Sequence, residues 1–240
     1  VPADAPRLFR CSSVKEPMAL TCCRSCTMKF DGIIFDLDGV LCRTDRYHLA
    51  AWSELASELG LELPPDIAER TRGIGRMESL ELVLGPLAAR LTPDEKERLG
   101  EKKNRMYIEQ LKHLSPEDIE PGAVEALTAL HERGAKLAVA SSSRNAPLIT
   151  ERLGFNGLLD AAVDGSMISR SKPDPEVFLK AAELLGCEPA RCAVVEDAQS
   201  GIDAARSGGF FSVAYTCPPR PMKRADLEIH ALGELMTALG

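Results

Sequence analysis

The stretch from Phe30 to Leu41, reading FDGIIFDLDGVL, constrains the fold more than any other part of this 240-residue chain. Ile33, Ile34 and Phe35 form an apolar run without a polar face, the pattern of a strand buried on both sides in a parallel sheet. Two acids one residue apart, Asp36 and Asp38, follow it at once, and then Gly39. Alternate side chains of a strand share a direction, so both carboxylates can leave the strand end on one side. The glycine lets the backbone turn sharply there. Open α/β sheets place ligands at the carboxyl ends of their strands. Asp-Gly is also an ordinary turn pair, so the motif alone only nominates a site.

From Asp45 to about Leu114 the chain reads as helices without a strand. Trp52, Leu55, Ala56 and Leu59 recur at i, i+3, i+4 and i+7, one apolar face of a helix starting at His48. Gly60 and Pro64-Pro65 break it. A second helix is expected from near Pro65 to Gly73, then a turn (Gly73-Ile74-Gly75-Arg76) that presents a cation, then a helix over 77–84. Thr92 should N-cap a further helix, with Asp94 and Glu95 in its first turn, running to about Leu114. Beyond Pro121-Gly122 the pattern alternates. Helices are expected over 123–133, 145–153, 176–185 and 201–207, and strands over 136–141, 193–197 and 210–215. Such alternation predicts an α/β fold with a doubly wound, Rossmann-like parallel sheet. Residues 28–43 and 115–240 would build it, with 44–114 as an all-helical insertion.

The net charge of −7 and a pI near 5.3 argue against a nucleic-acid or membrane-surface partner. They leave room for an anionic substrate, because a local cation cluster or a metal can outweigh a diffuse negative surface. No apolar run approaches the roughly 18 residues that span a bilayer. Of eight cysteines, four (Cys11, Cys22, Cys23, Cys26) crowd the first 28 positions, with no Cys/His pair at zinc-finger spacing after them. The others are scattered singly, as reduced thiols of a cytoplasmic protein are. Residues 1–27 lack periodicity and read as a disordered tail or a gene-start artefact, with Met28 a natural start. No apolar stripe is left over after core and insertion are built, which makes a monomer the expectation.

Three predicted strands end in polar groups: Asp36 and Asp38; Ser141, Ser142, Ser143, Arg144 and Asn145; and Glu196 and Asp197. Between the last two sets lies Ser171-Lys172-Pro173-Asp174-Pro175, a proline-braced loop around one lysine. In a parallel sheet all carboxyl ends lie on one edge, so these groups converge. Clustered carboxylates repel one another unless a hard cation sits among them, and a lysine, a divalent cation and hydroxyls together suit a phosphoryl group. Taken singly, the serines could cap the next helix, Lys172 could be a solvated loop lysine, and Glu196 and Asp197 could be capping acids. Their joint placement at three strand ends weighs against that.

The ordered set Asp36-Leu37-Asp38-Gly39-Val40, Ser141, Ser171-Lys172-Pro173 and Glu196-Asp197 resembles the haloacid dehalogenase superfamily over roughly residues 29–217. The resemblance implies phosphoryl transfer with Asp36 as nucleophile, forming an aspartyl phosphate, and Asp38 as general acid and base. Magnesium would be held by Asp36, the backbone carbonyl of Asp38, and Asp197, with Glu196 in or near that shell, while Ser141 and Lys172 bind the transferring phosphate. The helical insertion is similar to that superfamily's cap domain. Within the superfamily the cap residues look most like the β-phosphoglucomutase subfamily: Thr44 at the hinge, His48 and Trp52 one turn apart, Gly73 and Arg76 in the loop, then Lys103. That likeness implies a small sugar phosphate as partner and interconversion of β-glucose 1-phosphate and glucose 6-phosphate through glucose 1,6-bisphosphate. In it His48 would position base and substrate, and Arg76 would grip the second phosphate, with Ser143, Arg144 and Asn145 sharing that grip and Ser142 also touching the substrate. A phosphatase on the same core is the alternative, and it would need no second phosphate site. The plainer reading makes His48 and Trp52 packed residues and Arg76 one more solvated cation. Two positions depart from the subfamily pattern: Arg43 stands where an acid is usual, and Arg144 where a lysine is.

Overall fold

The computed structural model describes residues 28–239; the expectations for residues 1–27 lie outside them. In chain order, β1 (Gly32–Phe35) is followed by four helices: α1 (Asp45–Glu58), α2 (Ile67–Arg70), α3 (Arg76–Leu84) and α4 (Pro93–Leu111). Then come α5 (Ala123–Glu132), β2 (Lys136–Ala140), α6 (Ala146–Arg152), β3 (Ala161–Val163), α7 (Glu176–Leu185), β4 (Cys192–Glu196), α8 (Gln199–Ser207), β5 (Phe211–Tyr215), β6 (Leu227–Ile229) and α9 (Leu235–Ala238). The six strands form one sheet in the order β3-β2-β1-β4-β5-β6, and every pairing is parallel.

β1 lies at the centre because its residues can be buried on both faces. Ile33 and Phe35 pack with Leu127, Ile149, Tyr215 and Leu235, which brings α5, α6 and α9 to one side. Ile34 packs with Phe178, Ala181 and Ala204, which brings α7 and α8 to the other. A doubly wound sheet follows from that division. Phe35 is level with Val139 of β2 and Val195 of β4, so the residues after these positions leave the sheet along one edge.

The helices between β1 and α5 close around a core of their own, with Trp52, Leu55, Leu80 and Leu84 buried in it. The chain leaves for them and returns side by side. Arg43 N–H donates to Asp118 C=O at 2.7 Å, and Glu120 N–H to Leu41 C=O at 2.9 Å. The unusual Arg43 serves this crossing: its guanidinium donates to the Glu117 carbonyl at 2.7 Å and lies 3.6 Å from Glu120.

Several boundaries differ from expectation. α1 begins at Asp45 rather than His48, α2 covers only four residues instead of reaching Gly73, and α4 stops at Leu111. β3 and β6 were not anticipated. Each has three residues at a sheet edge, too short for a period to show in sequence, and each exists because a longer neighbour supplies the ladder. Among the described residues, no helix is long and apolar enough to cross a membrane.

Candidate active site

Parallel register delivers Asp36 from β1, Ser141 from β2 and Glu196 from β4 to the same edge. Asp36 keeps the ladder going by donating its N–H to Val195 C=O at 2.9 Å, while its side chain is almost fully buried. Lys172, also buried, reaches both Asp36 Oδ1 at 2.5 Å and Glu196 Oε1 at 2.6 Å. Two buried carboxylates thus share one ammonium. Burial raises Asp36 and Glu196 above the ordinary carboxylate range against the charge of Lys172, with nearby Asp38 and Asp197 adding to it for Asp36, and Asp36 and Asp197 for Glu196. Burial works against a charged Lys172, yet the two carboxylates outweigh it and hold the ammonium above the ordinary lysine value.

Glu196 was expected in or near the magnesium shell, and its surroundings give it a second task. Oε1 is on Lys172 and Oε2 accepts the Ala198 N–H at 2.7 Å, so the carboxylate helps hold the lysine and the turn. Asp197 differs. Its side chain is buried, Arg72 and Arg220 donate to Oδ2, and Oδ1 has no partner. Gly39, at φ +90°, passes so close that a Cβ there would come within 2.4 Å of Asp197 Oδ2; only glycine fits both the turn and the contact. No three His, Cys, Asp or Glu side chains among the described residues are grouped to hold a metal by themselves. A cation here would have to combine Asp36 and Asp197 with a backbone carbonyl such as that of Asp38, and the orphaned Asp197 Oδ1 fits that set.

Asp38 is held in place from several directions. Thr44 occupies the N-cap position of α1 but does not cap it; its hydroxyl donates to Asp38 Oδ1 instead. Ser141 Oγ donates to Asp38 Oδ2 at 3.4 Å. Burial raises Asp38 to about 6, opposed by the Thr44 hydrogen bond. His48 Nε2 lies 3.9 Å from Asp38 Oδ1, and its Nδ1 lies 2.8 Å from Lys103 Nζ. Burial, then the charges of Lys103 and Arg76, push His48 well below the ordinary imidazole value, so the ring is neutral. With Lys103 as the donor to Nδ1, the neutral ring carries its proton on Nε2, the nitrogen nearer Asp38. Lys103 itself is pushed down to about 7 by burial and Arg76, against Asp38. Its ammonium sits 4.5 Å over the Trp52 ring.

These groups face a cavity of about 530 Å³ between the sheet edge and the helices. Asp36, Asp38, His48, Trp52, Gly73, Arg76 and Lys103 line it, as do the five residues Ser141–Asn145. Thr44, Lys172 and Glu196 stand behind that lining, and Asp197 opens onto a smaller neighbouring cavity. The serines are also partly loop-builders: Ser141 Oγ accepts the Ser143 N–H at 3.0 Å, and Ser143 Oγ the Asn145 N–H at 3.2 Å. Arg76 is paired with Glu101 at 2.6 Å, and burial with the nearby charge of Arg144 lowers its pKa. Asn145 Nδ2 donates to Asn104 Oδ1 at 2.9 Å, tying the sheet side to α4. Sequence reasoning missed Arg72, Tyr107 and Arg220. Tyr107 stacks on His48 at 3.9 Å and follows Lys103 by one helical turn, a spacing that could have found it. Arg220 had no local signal, because it lies in a proline-rich connection far along the chain.

Residues 30–209 match the model of the haloacid dehalogenase-like hydrolases. The chain is 41% identical over 209 residues to the β-phosphoglucomutase of Bacillus subtilis, covering 86% of this chain and 92% of that one. It is 33% identical over 182 residues to a phosphorylated carbohydrates phosphatase of Thermotoga maritima, covering 75% of this chain and 82% of that one. Among solved structures, a β-phosphoglucomutase from Clostridium difficile superposes with a TM-score of 0.81 at 34% identity, covering 86% of this chain and 93% of that one.

Proposed function

Because the chain belongs to the haloacid dehalogenase-like hydrolase family, we propose that it is a magnesium-dependent mutase that moves a phosphoryl group between the 1- and 6-positions of β-glucose phosphates. The observation that carries this reading is the second cationic pole of the cavity. Arg76 and Arg144 line the same chamber as Asp36 and lie close enough for one charge to act on the other. A bisphosphate that must turn round and rebind needs a grip on the phosphate not being transferred, whereas simple hydrolysis needs none.

In this reading Lys172 holds Asp36 Oδ1, which leaves Oδ2 to carry the phosphoryl group. Phosphorylated Asp36 gives that group to the 6-hydroxyl of β-glucose 1-phosphate while Asp38 takes the hydroxyl proton. The 1,6-bisphosphate turns, Asp36 attacks the 1-phosphate, and Asp38 returns the proton to the departing O1, releasing glucose 6-phosphate. A value near 6 suits Asp38 to both duties. Asp36, Asp197 and the Asp38 carbonyl would hold magnesium, which supplies Lewis-acid neutralisation of the anionic phosphoryl oxygens. The helical segment 44–114 would act as a cap that excludes water from the aspartyl phosphate. The substrate is a free sugar phosphate and the working unit a monomer.

The test is turnover of β-glucose 1-phosphate with magnesium and a trace of glucose 1,6-bisphosphate, reading glucose 6-phosphate and free phosphate together. Isomerisation with little free phosphate, lost in Asp36→Asn, is the expected result. Phosphate release without isomerisation would replace the mutase by a sugar-phosphate phosphatase, the reading that the Thermotoga relative favours.

A further inference from the structure

Two arginines from separate parts of the chain meet on one carboxylate. Arg72, just after α2, donates to Asp197 Oδ2 and also lies 2.6 Å from Asp45 Oδ2 at the start of α1. Arg220, in the connection between β5 and β6, reaches the same Oδ2 at 3.0 Å and donates to the backbone carbonyl of Asp197 as well. Both line a cavity of about 240 Å³ beside the main one. The Asp197 side chain is 3% exposed, so its charge is little screened by water. Two guanidiniums therefore share one oxygen while the other oxygen, buried, has no partner. A buried acceptor left bare is costly, so this division is a poor way to satisfy a carboxylate that has no other task.

We propose that Arg72 and Arg220 are resident counter-ions of Asp197, positioning residues that fix Oδ2 so that Oδ1 is the oxygen left for a divalent cation. Their charge also holds the affinity for that cation below what the carboxylates alone would give. The inference rests on the magnesium reading above. It follows from the sign of the charges. With Asp197 already neutralised by guanidinium, an arriving cation meets a carboxylate whose field is largely cancelled and two positive neighbours that repel it. The protein gains a site that survives without its metal and gives the metal up readily. Arg72 comes with the helical segment and Arg220 with the sheet, so Arg220 is the cleaner position to change.

The experiment is magnesium titration by calorimetry into the parent chain, Arg220→Gln and Arg220→Lys, with the magnesium-induced rise in Tm as a second readout. Arg220→Gln should bind magnesium about fivefold more tightly, the scale of one partly screened like charge removed at close range. Its Tm without magnesium should fall and its magnesium-induced rise should grow. Arg220→Lys, which keeps the charge, should stay within about twofold of the parent. Unchanged or weaker magnesium binding in Arg220→Gln would overturn the proposal while leaving the magnesium reading intact. A parent chain that binds no magnesium would remove that reading and this inference with it.

Discussion

Lys103 shows how far one side chain's chemistry depends on its neighbours. It is 3% exposed, packed against His48 and Trp52, with no carboxylate among the described residues close enough to form an ion pair with it. Its folded value of about 7 lies below the ordinary 10.5. Between those values the unfolded chain binds a proton that the folded chain has lost, so this group makes stability rise with pH from about 7 to about 10. Below 7 the full cost of burying the ammonium is present. Lys103→Met, similar in volume and without charge, should therefore be more stable than the parent near pH 7, by on the order of a few kcal/mol. The gap should close as pH approaches 10. Urea unfolding across that range measures it, and parallel pH dependences in the two proteins would show that Lys103 does not titrate there.

Among the elements, α4 carries the largest share of the cavity's helical wall: Glu101, Lys103, Asn104 and Tyr107 all project from it. Its start is secured by a capping box legible in the sequence. Thr92 Oγ1 accepts the Glu95 N–H at 3.3 Å, and Glu95 Oε2 accepts the Thr92 N–H at 2.8 Å. Thr92→Ala should cost about 1 kcal/mol in chemical unfolding and shift Tm down by roughly 2–4 °C. Thr92 lies outside the cavity lining, so the Michaelis constant should change little. A stability unchanged by the substitution would mean that packing on α1 alone holds the helix. The neighbouring boundaries were harder to read: α2 is short because Pro64-Pro65 and the glycines at 73 and 75 leave little chain between breakers.

At the scale of the whole molecule, the cavity exists because the helical segment rests on the sheet edge, and it touches down through very small residues. Gly73 has φ +72°, and a Cβ there would lie 2.8 Å from both Ala198 Cβ and Ser200 Oγ. Gly73→Val would have to lift the loop, and with it Arg72 and Arg76, away from the core. A loss of roughly tenfold in kcat/KM, about 1.4 kcal/mol of transition-state stabilisation, is expected, with cooperative unfolding retained. Undiminished kcat/KM would show that this contact is not part of the working state.

The sequence by itself determined the sheet, because burial on both faces demands uninterrupted apolar runs and those are visible in Ile33–Phe35, Leu137–Ala140 and Ala193–Val195. It determined the polar edge too, since polar residues that follow three buried parallel strands have one place to go. Only the tertiary structure decided how the acids divide their work. Glu196 and Asp197 are adjacent in sequence, yet one is tied to Lys172 and the other to Arg72 and Arg220. Those partners lie 24, 125 and 23 positions away, and no local pattern encodes a contact between side chains that far apart. The edge strands β3 and β6 were decided in the same way, by neighbours rather than by their own three residues.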